Sequence, residues 1–470
     1  MRKLSVILLT LALLLTACGG GTDTSADETA AVEESSESLD APATTVATES
    51  PSGQKTGETF TMLMPALPSN ADFAVYQGTA STAVAAVWAG TILEFKAQDD
   101  PSIQPGIDDV QCFICESFTT DSDGNITVVL PDGLKSAYGN EISSDDVLYT
   151  FERVLANDFV FRFLMGVGSW NTENPITKVD DKTFVVNVTN NVPFTLGTLA
   201  WYSGSILDAT EVKSHATDED PWAKEWMAGN SATYGPYHLS SFSSGENATL
   251  SLNPGWNKFV PTYSDVVITA VPDSATRLQA MLTGAADYTF KVDYDQLASA
   301  EGNSAVEITE ALESRSVELH LNFADEKFAD KKVRQAINYA IDRDAIVKGI
   351  MGKYGAAADT QLPEVIKGPA APGSYTQDVE KAKALLAEAG YADGFDMVIT
   401  VNAVRPGSYA SNVALLVANQ LADVGINATI SVYPSATDFE ASIRDDSFEA
   451  WLWDSTPALS DPYYYWRLNH

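Results

Sequence analysis

The sequence is poor in basic residues and in histidine. Its 470 residues include 28 Lys and Arg against 64 Asp and Glu, so the formal net charge is −36. Because contact with nucleic-acid phosphates needs a basic surface, this balance argues against nucleic-acid binding. The four His residues are scattered, without an HExxH or similar pair, which argues against a zinc site. No Ser-His-Asp set, catalytic carboxylate pair or nucleotide loop stands out, so we expect no enzyme activity, no cofactor and no metal.

The apolar run at the N terminus is too short to span a bilayer comfortably. It covers the 14 residues of Leu4–Ala17 and follows Arg2 and Lys3. A positive start followed by a short apolar stretch predicts a secretory signal peptide over residues 1–17. The run ends directly at Cys18, which resembles the lipobox of bacterial lipoproteins, in which signal peptidase cuts before the cysteine and lipid is attached to its sulfur. A plain signal peptide is the alternative.

The next segment, residues 18–57, has almost nothing to bury. It is made of Ser, Thr, Ala, Gly and Glu, with eight acidic residues against the single Lys55. This composition predicts a disordered acidic tether. As a flexible coil it would have a root-mean-square reach of about 35 Å.

The folded body contains one stretch with a strong helical pattern, Phe328–Met351. The apolar residues of its first half fall at helical spacing and form one stripe. Asp330 is placed to cap this first helix, and an acid-led turn beginning at Asp342 opens a second one. Elsewhere, Ala80–Glu94 is predicted as a helix. Strand, helix and strand alternate towards the C terminus, which favours an α/β lobe.

The sequence of Val333–Asp344 in this stretch is VRQAINYAIDRD. It resembles a signature of the family 5 extracellular solute-binding proteins, the oligopeptide- and dipeptide-binding family of bacterial ABC importers. Other motifs that resemble those of the family follow in its order: Leu130–Lys135, Asp145–Arg153, Tyr234–Leu239, Leu252–Trp256 and Pro272–Asp287. Each motif is weak alone, but the ordered set is specific.

The resemblance implies a two-lobed α/β fold of the periplasmic-binding-protein type, type II in its large variant. We place the first lobe at residues 58–316, with an inserted extra subdomain around 80–230, and the second lobe at 317–470. Family members continue well past the tryptophan-rich segment near residue 451. We therefore expect a C-terminally incomplete copy whose second lobe is incomplete.

The function implied by the resemblance is that of an extracytoplasmic receptor, anchored to the outer face of the cell membrane through lipid on Cys18. Such a receptor, a monomer, captures a small solute, here a peptide, in the cleft between its lobes. It then delivers the solute to the permease and ATPase subunits of an ABC transporter. Two alternatives stay open: the same fold binding a non-peptide solute such as a glycan or nickel chelate, and a signalling receptor presenting solute to a sensor.

The resemblance also implies a ligand site around Asp454. In peptide-binding relatives a Trp-x-x-Asp segment supplies the carboxylate that pairs with the α-ammonium of the peptide, and Trp451 and Asp454 fit that frame. Trp453, Trp201 and Tyr202 are further candidates, because aromatic faces add apolar area and cation–π attraction. The alternative is that the segment ends a core strand and that these aromatic residues belong to the core.

The two remaining cysteines, Cys112 and Cys115, are separated by two residues. Outside the cytosol they are expected to pair with each other. Free thiols, or a redox or metal-binding pair, are the alternatives, although nearby Glu116 would raise a thiol pKa and disfavour a reactive thiolate.

Overall fold

A computed structural model describes most of the chain from residue 58 to residue 455. The described residues are 58–75, 88–99, 105–157, 159–190, 194–310, 314–358, 360, 362, 375–402, 409–433, 439, 442–443 and 445–455. The predicted signal peptide, Cys18 and the predicted tether lie outside the described residues.

Strands and helices alternate along the described chain. The strands are β1 (Thr59–Met64), β2 (Leu93–Phe95), β3 (Val110–Cys112), β4 (Ser117–Thr120), β5 (Ile126–Val129), β6 (Ile176–Lys178), β7 (Thr183–Val186), β8 (Tyr237–Ser243), β9 (Asn247–Leu252), β10 (Asp265–Ala270), β11 (Tyr288–Thr289), β12 (Ser316–Leu321), β13 (Phe395–Val401), β14 (Ile426–Val432) and β15 (Ala450–Ser455). The helices are α1 (Ser144–Ala156), α2 (Val160–Val167), α3 (Phe194–Ala200), α4 (Ala209–Ser214), α5 (Lys224–Met227), α6 (Ser274–Leu282), α7 (Tyr294–Ala300), α8 (Glu326–Ala329), α9 (Lys331–Ala340), α10 (Arg343–Ile350), α11 (Val379–Glu388) and α12 (Ala410–Ala422).

Three sheets form in the N-terminal part. The largest has the order β11-β1-β10-β9-β8, in which β1 pairs in parallel with β10 and β11. A second, fully antiparallel sheet has the order β4-β5-β7-β6, and β2 pairs with β3. Because Leu93 of β2 lies opposite Cys112, the helix predicted for Ala80–Glu94 is wrong at its C-terminal end.

The C-terminal part contains one mixed sheet with the order β12-β15-β13-β14. Strand β13 runs parallel to β14 and β15, whereas β12 is antiparallel to β15. Along β13, Met397, Ile399 and Val401 are buried and alternate with exposed Asp396 and Val398. One face of this sheet is therefore packed on helices, and the other is more exposed.

The helices that cover this sheet begin where the sequence predicts. Asp330 caps α9 by accepting a hydrogen bond from the Lys332 amide at 2.7 Å. Asp342 caps α10 by accepting one from the Ala345 amide at 2.9 Å. Both acids satisfy amides that a first helical turn leaves without partners.

Two separate hydrophobic cores organise the chain. The first gathers buried residues between Met62 and Ile268, and the second gathers those between Phe328 and Leu452. The chain passes from one to the other along a segment that includes α7 and leads into β12 at Ser316. Among the described residues, no helix is long and apolar enough to cross a bilayer.

Candidate ligand-binding site

The candidate site lies where β12 begins and β15 ends. In the antiparallel register of these strands, Val317 lies opposite Asp454 and Glu318 lies opposite Trp453. Successive side chains of a strand point to opposite faces. Asp454 therefore lies on the face of Leu452, which belongs to the second core, while Trp453 lies on the other face. We call this strand end, with Arg315 beside it, the β12–β15 site.

Asp454 is a nearly buried carboxylate with a cation beside it. Its residue is 3% exposed, and its Oδ2 lies 3.5 Å from Nε of Arg315, the residue that precedes β12. The side chains of Arg315 and Asp454 are only 10% and 5% exposed, so solvent screens the pair weakly. The site thus presents a fixed negative charge and a fixed positive charge next to each other.

The opposite face of the strand pair carries a polar cluster centred on Glu318. Its carboxylate accepts hydrogen bonds from the hydroxyls of Ser316 and of Ser455, the latter at 3.1 Å. His320 Nε2 lies 2.9 Å from Glu318 Oε2, and the imidazole stacks on the Trp451 ring with centroids 5.2 Å apart. Glu318 and His320 thus tie Trp451 to β12.

The structure does not bring Trp451 and Asp454 to one surface. Trp451 and Trp453 are half-buried and lie on the Glu318 face, and the β15 backbone separates them from Asp454. The Trp453 ring packs against Phe439, with centroids 6.1 Å apart. A single small group on the ligand can therefore touch the carboxylate or the tryptophan faces, but not both.

Trp201 and Tyr202 lie at the first core. Tyr202 is 3% exposed and belongs to that core, where its ring meets the edge of Phe161 with centroids 4.9 Å apart. Trp201 is half-buried and packs on Tyr202, with centroids 4.0 Å apart. Their ligand-binding role stays a prediction.

The sequence-based reasoning found Asp454 but missed Arg315 and Glu318. A signal for Glu318 was present, because Ser316, Glu318 and His320 alternate with apolar residues, which is the pattern of a strand with one polar face. Arg315 gave no signal of its own, because its contact with Asp454 depends on the register between strands far apart in sequence.

Cys112 and Cys115 form a disulfide in the structure, with their Cα atoms 5.0 Å apart. The small ring holds Phe113 against Trp256, with ring centroids 5.4 Å apart. Nζ of Lys258 donates a hydrogen bond to the Cys115 carbonyl at 2.7 Å, and burial lowers the pKa of that lysine. Among the described residues, no group of three or more His, Cys, Asp and Glu side chains is placed to hold a metal ion.

Comparison with known proteins matches the sequence of this chain to a family. The profile of the bacterial extracellular solute-binding proteins, family 5, matches residues 109–469. The glutathione-binding protein GsiB of Shigella boydii is 29% identical over 323 residues, which are 68% of this chain and 60% of the relative. The chain thus spans about 60% of the length of that curated relative.

Solved structures share the fold. The periplasmic binding protein DppA of Helicobacter pylori, in complex with the peptide STSA, superposes with a TM-score of 0.70 at 22% identity, covering 88% of this chain and 80% of that one. AgaA of A. tumefaciens R10, in complex with agropinic acid, gives a TM-score of 0.67 at 23% identity, covering 86% and 78%. The predicted two-lobed α/β fold of the periplasmic-binding-protein type is confirmed.

Proposed function

The chain belongs to the family 5 bacterial extracellular solute-binding proteins, and we propose that it captures peptides with a free amino group in a cleft between two lobes and delivers them to an ABC permease. The relatives that it matches are solute-binding proteins rather than enzymes. We place the lobes at residues 58–316 and 317–470, a division supported by the two separate cores.

The observation that carries this proposal is the buried carboxylate of Asp454. An ammonium that leaves water needs a fixed counter-charge and hydrogen-bond acceptors. Asp454 offers both at the end of β15, in a Trp-x-x-Asp frame like that of peptide-binding relatives. Closure of the lobes on the ligand would then be a population shift, driven by contacts that the ligand makes only in the closed form.

The test compares peptides with free and with acetylated amino termini by calorimetry. The free pool should bind wild type at least a hundredfold more tightly, because breaking a buried charge pair costs about 3–5 kcal/mol. Asp454→Asn should remove this preference. Since that change removes the carboxylate beside Arg315, the double variant Arg315→Gln/Asp454→Asn removes both charges of this pair and separates binding from stability.

The matched control is Asp396→Asn, an exposed acid on β13 of the same sheet. It should bind like wild type. Equal affinity of wild type for both pools would refute amine recognition and favour a non-peptide solute such as a glycan, nickel chelate or opine.

Native mass spectrometry of protein purified from its own host would identify the ligand that the protein carries. A neighbouring gene for a sensor, rather than for a permease, would favour a signalling role.

We also propose that lipid on Cys18 anchors the protein at the outer face of the membrane, because the apolar run that ends at this residue resembles a lipobox. Labelled palmitate should enter wild type and not Cys18→Ser. Equal labelling of the two proteins would contradict lipidation at this residue.

The Cys112–Cys115 disulfide is expected to persist in the exported protein as a local cross-link. Thiol titration of unreduced protein should then find neither cysteine free. So small a ring gains little loop-closure entropy, so the double serine variant should lose little stability. Two titratable thiols in native protein would contradict the pairing.

A further inference from the structure

The disulfide between Cys112 and Cys115 joins a residue near the surface to a residue in the core. Cys112 is half-buried, whereas Cys115 is 0% exposed and belongs to the first hydrophobic core. A small reagent therefore reaches Cys112 more readily than Cys115. An exchange reaction at this pair thus has a direction, in which Cys112 is attacked and Cys115 is the sulfur released.

The turn that carries the two cysteines is held by hydrogen bonds that do not involve sulfur. The amides of Phe113 and Cys115 donate to the carbonyl of Ile92, the residue before β2, at 3.1 and 3.5 Å. The Glu116 amide donates to the carbonyl of Val129, the last residue of β5, at 2.8 Å. These bonds remain when the disulfide is reduced. The two thiols would therefore stay close together and could pair again.

A lysine lies beside the buried cysteine. Nζ of Lys258 donates a hydrogen bond to the Cys115 carbonyl at 2.7 Å, and the exposed carboxylate of Glu116 acts on the same lysine with the opposite charge. A positive charge near a cysteine favours its thiolate, and a disulfide breaks faster when the leaving sulfur forms a more stable thiolate. Lys258 thus favours the release of Cys115.

We propose that the Cys112–Cys115 disulfide is a reversible exchange site, which binds low-molecular-weight thiols covalently as a mixed disulfide on Cys112. The thiolate of the small molecule attacks Cys112 Sγ and forms a new sulfur–sulfur bond there. The original bond breaks, and its electron pair stays on the Cys115 sulfur. That sulfur takes up one proton, which replaces the proton that the small thiol lost to solvent.

Two reactions can follow from the mixed disulfide. The Cys115 thiolate can attack Cys112 Sγ, which releases the small thiol and restores the starting disulfide. Alternatively, a second small thiol attacks the sulfur of the first and leaves with it as a disulfide. In that case two small thiols are oxidised and the protein pair is reduced to two thiols. Both cysteines lie in the first part of the chain, so this chemistry does not depend on peptide capture at Asp454.

The first experiment treats folded wild type with mercaptoethanol, traps the products with acid and iodoacetamide, and locates the adduct by peptide mass spectrometry. Cys112 should carry about tenfold more adduct than Cys115, or more. The rate should not change with urea below the unfolding transition, because the reaction takes place in the folded protein. Equal adduct on both cysteines, or a rate that rises steeply with urea, would overturn the proposal.

Single variants then separate the roles of the two cysteines. The oxidised dimer of mercaptoethanol should modify Cys112 in Cys115→Ala about tenfold faster than it modifies Cys115 in Cys112→Ala, or more. The adduct on Cys115→Ala should persist after the reagent is removed, whereas the wild-type mixed disulfide should close again by itself. Equal rates in the two variants would overturn the proposal. If an alanine variant does not fold, the adduct ratio in wild type decides.

A further pair of variants tests the lysine. Lys258→Gln should slow the reaction of mercaptoethanol with the wild-type disulfide by about threefold or more, because the leaving thiolate loses its positive neighbour. The matched control is Lys178→Gln, at the end of β6, whose lysine pairs with Asp145. It should react at the wild-type rate. Equal rates in the Lys258 variant and the control would overturn the role of Lys258.

Discussion

At the scale of single residues, the first core contains an ion pair with almost no solvent. Nη2 of Arg153 lies 2.6 Å from Oδ2 of Asp72, and the two side chains are 0% and 1% exposed. Nε of the same arginine donates to the Trp222 carbonyl at 3.0 Å. Arg153 thus joins α1 to two distant segments, and its charge depends on Asp72 for compensation.

We predict that Asp72→Asn lowers the free energy of unfolding by about 3–5 kcal/mol, because it leaves the Arg153 charge buried and uncompensated. Urea unfolding measures the change. The matched control is Asp145→Asn, which breaks the 2.9 Å ion pair of an exposed acid with Lys178. Exposed pairs contribute about 0–1 kcal/mol. A similar loss in both variants would show that burial does not set the cost.

Local chemistry predicts some residue roles and not others. The caps at Asp330 and Asp342 follow from a polar residue placed just before an apolar stripe, and the sequence shows both. The pairs Asp72–Arg153 and Arg315–Asp454 join residues that are far apart along the chain. Nothing local specifies such partners, so the second charge of the candidate site could not be predicted.

At the scale of secondary structure, β13, α12 and β14 form a unit whose turns are tightly packed. Gly394 precedes β13 with φ at 76°, and Gly425 precedes β14 with φ at 88°. A Cβ atom built on Gly394 would lie 1.8 Å from the Gly425 carbonyl oxygen. Gly394 is therefore required for its backbone conformation and for the space that it leaves to its neighbour.

We predict that Gly394→Ala lowers the free energy of unfolding by clearly more than Gly302→Ala. Gly302 has nearly the same φ, 74°, but an added Cβ there meets no atom within 4 Å. The Gly302 variant thus carries only the cost of a left-handed backbone, about 1–2 kcal/mol, whereas the Gly394 variant adds a clash with backbone. Equal losses, measured by urea unfolding, would show that the turn relaxes freely.

Strand and helix positions in the second core were predicted well, because alternation and helical spacing are properties of neighbouring residues. The strand, helix and strand that the sequence predicts towards the C terminus are β13, α12 and β14 in the structure. The same patterns do not determine which strands pair. Trp451 and Asp454 lie on opposite faces because β15 is a strand through Ser455, in which residues three apart point to opposite sides.

At the scale of the whole molecule, a cluster beside the connecting segment joins the two cores. Helix α7 is tied to the first part of the chain, because Ser274 Oγ accepts a hydrogen bond from the Asp293 amide at 2.9 Å. From α7, the Tyr294 ring stacks on Tyr354, with centroids 5.9 Å apart. Tyr354 also donates its hydroxyl hydrogen bond to Glu301, the residue after α7. Movement between the cores must change these contacts.

The Tyr354 hydroxyl, which donates the hydrogen bond to Glu301, stays protonated at neutral pH. Burial, together with the hydrogen bond to Glu301, raises the pKa of Tyr354 to about 12. A raised tyrosine pKa means that the stabilising neutral form is fully present below the unfolded value of about 10 and is lost only as pH rises through about 12. Its contribution is therefore constant at neutral pH, where a mutation can test it.

We predict that Tyr354→Phe loosens the link while keeping the ring stacked on Tyr294. A hydrogen bond to a charged group such as the Glu301 carboxylate contributes about 1.5–3 kcal/mol, so amide hydrogen exchange in α7 should become about tenfold faster or more. The matched control is Tyr339→Phe, which removes a 2.6 Å hydrogen bond from Lys381 that lies wholly within the second part of the chain. Because that bond does not bridge the cores, α7 in the Tyr339→Phe variant should exchange at the wild-type rate.

Unchanged exchange in Tyr354→Phe, or the same acceleration in both variants, would show that the Tyr354–Glu301 contact does not couple the two cores. Acceleration confined to Tyr354→Phe would instead identify the Tyr354–Glu301 contact as part of the resistance that lobe movement must overcome.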